Sequence, residues 1–373
     1  PGIAPAARRD VDSSVGADQT LAAVGPPPSS RSSAVAQLQR GDSIGRYVIL
    51  ARLGAGAMGV VHAAYDPELD RKVAVKLLRP GPEGTLSSSD GEARLLREAK
   101  ALAKLNHPNV VAVHDAGSAH GRVWIAMEFV QGKTLSEWLS QERSLDDTLE
   151  ALKAAGRGLQ AAHEAGLLHR DFKPDNVMVG DDGRVRVMDF GLVRSRNANP
   201  AELEETQAGE SEPEGSSDAE VTQAGAIMGT PAYMAPEQFR GEEVDARADQ
   251  FAFCATLWEA LHGTRPYAGD TFYSIALALN EGNRVSPPPG RKVPGWLVAA
   301  CNRGLELAAS KRFASMHDLL LALEVREKRA RNVRVLAGLV VVASFESSKV
   351  WYAGIWHAKT IKMMITTLGA LYA

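Results

Sequence analysis

Cysteine is nearly missing. Two residues, Cys254 and Cys301, serve a chain of 373. That excludes a disulfide framework and a multi-cysteine metal site, so a reducing intracellular setting is expected. Both are read as small apolar core residues. A strong charge of one sign is also missing. Lysine and arginine total 42 against 45 aspartates and glutamates, a formal net charge of −3. A globally basic nucleic-acid binder is thereby excluded, and nucleic acid is not an expected partner. No secretory signal opens the chain, which begins on Pro1 rather than Met, so a start further upstream is expected. Long apolar runs are scarce. Val335 to Phe345 has 11 residues, where a spanning helix needs about 20.

What is present is a normal apolar fraction, 45%, enough for a sizeable core. Residues 1–40 are rich in Ala, Ser, Pro and Gly and read as a disordered leader. Short apolar segments read as strands at Tyr47–Leu53, Val60–Tyr65 and Val73–Leu78, and two more across VVAVHDAG and VWIAMEFV. Gly81–Gly91 reads as a loop, and Glu92–Leu105 as a helix. From Leu135 onwards the spacing is mostly helical, at Leu135–Gln141, Leu145–Ala165, Ala246–His262, Thr271–Asn280, Trp296–Leu307 and Met316–Glu327. A small β-rich part followed by a larger α-rich part predicts an α+β, bilobal architecture. It divides at 44–130 and 131–327, inside a domain spanning 41–327. Residues 196–225 carry eight acidic residues among Gly, Ser and Pro and read as a disordered acidic insertion. Residues 328–373 form a basic, then apolar, tail. Its cationic start fits the cytoplasmic flank of a membrane anchor, although Glu346 and Lys349 interrupt the apolar stretch.

Four motifs carry chemistry. LGAGAMGVV places Gly54, Gly56 and Gly59 as GxGxxG. The same spacing serves dinucleotide folds, but there it opens a helix. Here a strand continues, so the glycines belong to a hairpin that lets backbone N–H groups approach phosphate oxygens. VAVK follows, ending in Lys76, a cation suited to the α- and β-phosphates. Glu98, 22 residues later on a predicted helix, is the expected carboxylate to hold it. HRDFKPDN offers Asp171 as base for an incoming hydroxyl, Lys173 to neutralise charge on a transferring phosphoryl group, and Asn176 as a neutral oxygen ligand. MDFG supplies Asp189, a hard oxygen ligand for Mg²⁺, with Mn²⁺ able to substitute.

These motifs, with GTPAYMAPE at Gly229–Glu237, Asp249 in ADQFAF and Arg312 in SKRFAS, closely resemble the Hanks-type (eukaryotic-like) protein kinases. Bacterial serine/threonine kinases such as those of myxobacteria and mycobacteria are especially similar. The resemblance runs from Ile44 to Glu324. It implies transfer of the γ-phosphoryl group of ATP to Ser or Thr hydroxyls of protein substrates. It implies an adenine slot covered by Val61 and Ala74, with Met178 beneath. Met127 would be the gatekeeper, with Glu128 and Val130 supplying hinge hydrogen bonds. It also implies an apolar stack of Leu102, Val113, Phe190 and His169, a buried Glu237–Arg312 pair, and Asp249 capping the catalytic loop. Lys173 and Thr230 match the Ser/Thr pattern rather than the Tyr one.

Arg170 before Asp171 implies control by activation-loop phosphorylation. Thr222 is the first candidate and Thr206 the second, with a homodimer as the route to trans-autophosphorylation. The loop departs from the family in length: Asp189 to Glu237 is 49 residues, swollen by the acidic insertion. That insertion is either a passive linker or a competitor for Arg170. The kinase domain would be cytoplasmic, and the tail is either its link to the inner membrane or a frayed, truncated or interfacial end. The alternative is a pseudokinase scaffold, which would have lost Lys76, Asp171 or Asp189. All three are present.

Overall fold

The computed structural model describes residues 38–56, 59–78, 89–119, 122–191, 231–288, 293–325, 327 and 365. Residues 1–37 of the leader, the acidic insertion and the tail (save Ile365) fall outside them. The architecture that follows is that of the described residues from Gln39 onwards.

Six antiparallel strands come first: β1 (Ser43–Ile44), β2 (Tyr47–Gly56), β3 (Gly59–Asp66), β4 (Arg71–Leu78), β5 (Val113–Ala119) and β6 (Arg122–Glu128). They are ordered β1-β2-β3-β4-β6-β5. The last six residues of β4, VAVKLL, are all buried, because β4 lies between β3 and β6 with both faces covered. Helix α1 (Ser89–Leu102) buries Leu95, Ala99 and Leu102, spaced at i, i+4 and i+7, the single apolar stripe of an amphipathic helix. Leu95 and Ala99 join Ala74, Leu78, Val111, Val123, Ile125 and Met127 in one core.

The chain leaves β6 through residues 129–131 and enters a second, three-stranded sheet. It comprises β7 (Gly132–Thr134), β8 (Val177–Gly180) and β9 (Val185–Val187). Around it stand α2 (Leu135–Leu139), α3 (Leu145–Glu164), α4 (Pro236–Phe239), α5 (Ala246–His262), α6 (Phe272–Glu281), α7 (Gly295–Gly304) and α8 (residues 316–325). Helix α3 starts at Ser144, whose hydroxyl accepts from the Asp147 amide at 3.0 Å, with Asp146 and Asp147 in its first turn. Both features favour a helix N-terminus. Helix α5 is buried nearly all round and ends at Gly263, φ 74°. It is the axis of the helical lobe, because a helix apolar on every side belongs inside.

The expected two-lobed α+β architecture is thus present. Cys254 and Cys301 are free thiols in the α5–α7 core, the Cys301 thiol donating to the Cys254 carbonyl at 3.3 Å. On α3, the buried Lys153 binds Glu150 at 2.7 Å and Glu327 at 2.6 Å. The last helical turn is thereby fastened to the lobe.

Candidate active site

The roof is the β2–β3 hairpin, with Gly54 opposite Val61 and Gly56 opposite Gly59. A Cβ on Gly54 or Gly56 would meet nothing within 4 Å, whereas one on Gly59 would stand 2.2 Å from the Leu77 carbonyl oxygen, at φ 151°. Gly59 is therefore required by its approach to β4, and the other two leave bare backbone facing open space. Val61, Ala74, Met127 and Val130 meet in the first lobe's core. Met178 lies on β8, across from them on the second sheet.

The floor is the segment from His169 to Asn176 and the turn from Asp189 to Gly191. Asp249 on α5 is buried and accepts from the amides of His169 and Arg170, each at 2.7 Å. It also meets His163 Nε2 at 2.8 Å. Burial opposes its charge, but these hydrogen bonds and the neighbouring imidazoles win, and its carboxyl is held below the ordinary range. The clamp forces Arg170 to φ 61°, and Asp189 sits at φ 58°. Both are in the left-handed region that non-glycine residues avoid, a strain that persists only where the surroundings over-determine it.

His169 joins the two segments. Its carbonyl accepts from the Gly191 amide at 2.8 Å, and its Nε2 meets the Met188 carbonyl at 2.9 Å. Its ring lies 4.7 Å from Phe190. Leu102 and Phe190 share one apolar core with Val113 packed against it, so the four residues expected to stack do come together.

Two side-chain contacts and one backbone hydrogen bond bring together the four chemical residues that lie far apart in sequence. Lys76 Nζ is 3.0 Å from Asp189 Oδ1. The Met188 amide, one residue before Asp189, donates to the Asn176 carbonyl at 2.9 Å. Asn176 Nδ2 donates to the Asp171 carbonyl at 2.7 Å and to its Oδ2 at 3.2 Å, and Lys173 Nζ lies 3.4 Å from that same Oδ2. With Nδ2 committed to Asp171, the Asn176 carboxamide presents its oxygen. That oxygen and the Asp189 carboxylate are the hard donors that fit Mg²⁺. A small apolar cavity continues behind Lys76 and Asp189, lined by Leu102, Val113, Met127 and Phe190.

Glu98 was expected to hold Lys76. In this conformation the carboxylate on Lys76 belongs to Asp189. Burial lifts the Glu98 carboxyl above its usual range, and the cations that offset this are Arg94, Arg170 and Arg97. Helical spacing fixes the face Glu98 takes on α1 but not how far α1 stands from β4. Thr206, Thr222 and Thr230 lie outside the described residues.

Sequence reading passed over three supports. Asn109 Nδ2 donates to the Val185 carbonyl at 2.8 Å, and Gln238 Nε2 to the Arg170 carbonyl at 3.0 Å. Arg186 is buried within β9. Only Arg186 left a signal, as a lone charge inside an apolar strand, VRV. The buried Glu237–Arg312 pair is formed as expected, at 2.6 and 2.9 Å.

Residues 47–319 match the protein kinase domain family, and the chain belongs to it. Its relatives are bacterial serine/threonine kinases. It is 35% identical over 290 residues to the probable serine/threonine-protein kinase PknB of Bifidobacterium longum, covering 74% of this chain and 38% of that one. It is 36% identical over 254 residues to serine/threonine-protein kinase PknA of Mycobacterium tuberculosis (66% and 52%). It is 33% identical over 303 residues to serine/threonine-protein kinase pkn3 of Myxococcus xanthus (77% and 51%). The chain thus spans only 38 to 52% of the length of these relatives. The crystal structure of the Mycobacterium tuberculosis PknI kinase domain aligns with TM-score 0.55 and 26% identity, over 77% of this chain and 98% of that one.

Proposed function

We propose that this chain is a serine/threonine protein kinase that transfers the γ-phosphoryl group of ATP to hydroxyls of protein substrates. The observation that carries the reading is two sets of contacts, Lys76–Asp189 and Asn176–Asp171–Lys173, joined by the backbone hydrogen bond from Met188, the neighbour of Asp189, to Asn176. Asp171 accepts the proton of the incoming hydroxyl and orients its oxygen. Lys173, beside it, offsets the charge that builds on the transferring group. Lys76 binds the α- and β-phosphates beneath the hairpin of Gly54, Gly56 and Gly59, and Glu98 is its partner when α1 approaches β4. Val61, Ala74 and Met178 enclose the adenine. Met127 closes the rear of the slot, and the backbone of Glu128 and Val130 reads the base edge. Asn176 and Asp189 would hold Mg²⁺, which would supply positive charge against that of the phosphates.

Three further proposals rest on sequence. Thr222, then Thr206, is phosphorylated in trans within a transient homodimer. Thr230 favours Ser and Thr over Tyr acceptors. The tail after residue 327 tethers a cytoplasmic kinase domain to the inner membrane. Among the described residues no helix is long and apolar enough to cross a membrane.

The test is mass spectrometry of the protein after incubation with Mg-ATP, comparing wild type with Asp171→Asn. Wild type should gain phosphate on Ser or Thr. The variant should be slower by about 10²- to 10⁴-fold, as expected for loss of a general base, with nucleotide binding retained. Equal phosphorylation of both proteins would sink the assignment.

A further inference from the structure

Arg186 is the middle residue of β9, a strand whose three residues are all buried. A guanidinium taken out of water must be compensated by opposite charge and filled hydrogen bonds. Two carboxylates supply it, from different parts of the fold. Its Nη2 lies 2.7 Å from Asp182 Oδ2, in the turn between β8 and β9, and 3.1 Å from Glu128 Oε1, at the end of β6. Its Nη1 adds Asp182 Oδ1 at 3.1 Å. The Arg186 side chain is 3% exposed and Glu128 30%. Room for the fork comes from Gly180, where a Cβ would stand 2.4 Å from Asp182 Oδ1 and 2.9 Å from Arg186 Nη1.

Glu128 opens the segment that joins the two lobes. Its amide donates to the Ala112 carbonyl at 2.8 Å, and at the far end the Gln131 carbonyl accepts from the Asp181 amide at 2.8 Å. The β8–β9 hairpin therefore grips this connector twice, through backbone at Gln131 and through Arg186 at Glu128. Between the grips lies Val130, the other proposed adenine reader.

We propose that Arg186 is a positioning residue for the nucleotide: its fork holds Glu128 and so fixes the path of residues 128–131 before the adenine arrives. The consequence for ATP rests on the kinase reading; the tether itself does not. Without Arg186, Glu128 and Asp182 face each other as like charges and the connector gains conformations that binding must remove. The phosphoryl-transfer groups do not touch Arg186, so the cost falls on nucleotide affinity.

Two measurements test this. Hydrogen exchange of amides 128–131 in nucleotide-free protein should be faster in Arg186→Gln than in wild type. The KM for ATP should rise roughly five-fold with kcat nearly kept, a size set by a charged hydrogen bond to a partly exposed partner. Arg186→Lys keeps one contact but not the fork and should fall between. Glu128→Gln, at the more exposed end, should reproduce the KM shift. The double variant Arg186→Gln/Glu128→Gln should add little to either single change. Unchanged exchange, additive effects, or a fall in kcat with KM unaltered would each overturn the proposal. The exchange arm needs no substrate. It decides the tether even if no phosphoryl transfer is seen, and that failure would count against the kinase reading alone.

Discussion

Asp249 touches no residue proposed to meet the phosphoryl group or its acceptor, yet the geometry of the catalytic loop passes through it. One buried carboxylate accepts from two consecutive amides and faces His163 Nε2, and the reward is a strained Arg170 held next to Asp171. Replacing it with asparagine keeps the shape but leaves a single acceptor oxygen and introduces an NH₂ where donors already point. Asp249→Asn should cost about 2 kcal/mol or more in stability, from buried donors left unpaired. It should also lower phosphorylation with little change in nucleotide affinity, because Lys76 and the adenine slot stand apart from it. Urea unfolding and a nucleotide titration read the two effects separately. At this scale the sequence was legible where a residue's chemistry is also its motif: Lys76, Asp171, Asn176 and Asp189 all converge. It was silent where a residue works through geometry. Nothing in the chain marks Asn109 or Gln238, because a side-chain amide bonded to a distant carbonyl has no local pattern.

Among elements, the β2–β3 hairpin shows a glycine that packing requires beside two that it does not. Gly59→Ala places a methyl 2.2 Å from the Leu77 carbonyl at a φ that alanine avoids, so β3 must pull away from β4. A melting temperature lowered by several degrees is expected, equivalent to about 1–3 kcal/mol, together with weaker ATP binding. Gly54→Ala, with open space around it, should leave the melting temperature within about a degree.

Strand and helix identities were readable from periodicity; their edges were not. Helix α1 begins at Ser89, inside the stretch expected to be a loop, and ends at Leu102 rather than Leu105. Val110 and Val111 read as the start of a strand, but they pair with β9, Val110 by a parallel bridge to Val187 and Val111 through its amide. The apolar residues announced burial correctly. Which sheet pairs their backbone is a tertiary choice that a local pattern does not contain.

Over the whole domain, pH dependence has a predictable sign. His169 and His62 are buried at 0% and 3% exposure. Burial pushes both imidazoles below their usual pKa; Asp249 and Asp171 partly counter it at His169, and Arg52 adds to it at His62. The unfolded chain therefore binds more protons just below about pH 6.5. Stability from these residues is complete above that pH and declines as pH falls towards their folded values. Glu98, raised by burial, acts in the opposite sense nearer the carboxylate range. The melting temperature should be lower at pH 5.5 than at pH 7.5, and His62→Leu should narrow the gap. A gap of equal size in the variant would remove His62 from the account.

Lys153 gives the domain a mechanical property. Its ammonium bridges Glu150 on α3 to Glu327, the residue immediately before Lys328. Helix α3 runs through the lobe core and ends just ahead of the segment that carries His169 and Asp171. A load applied at Glu327 meets this bridge directly. It is then shared with α3, which leads into the catalytic loop, rather than borne by the last helical turn alone.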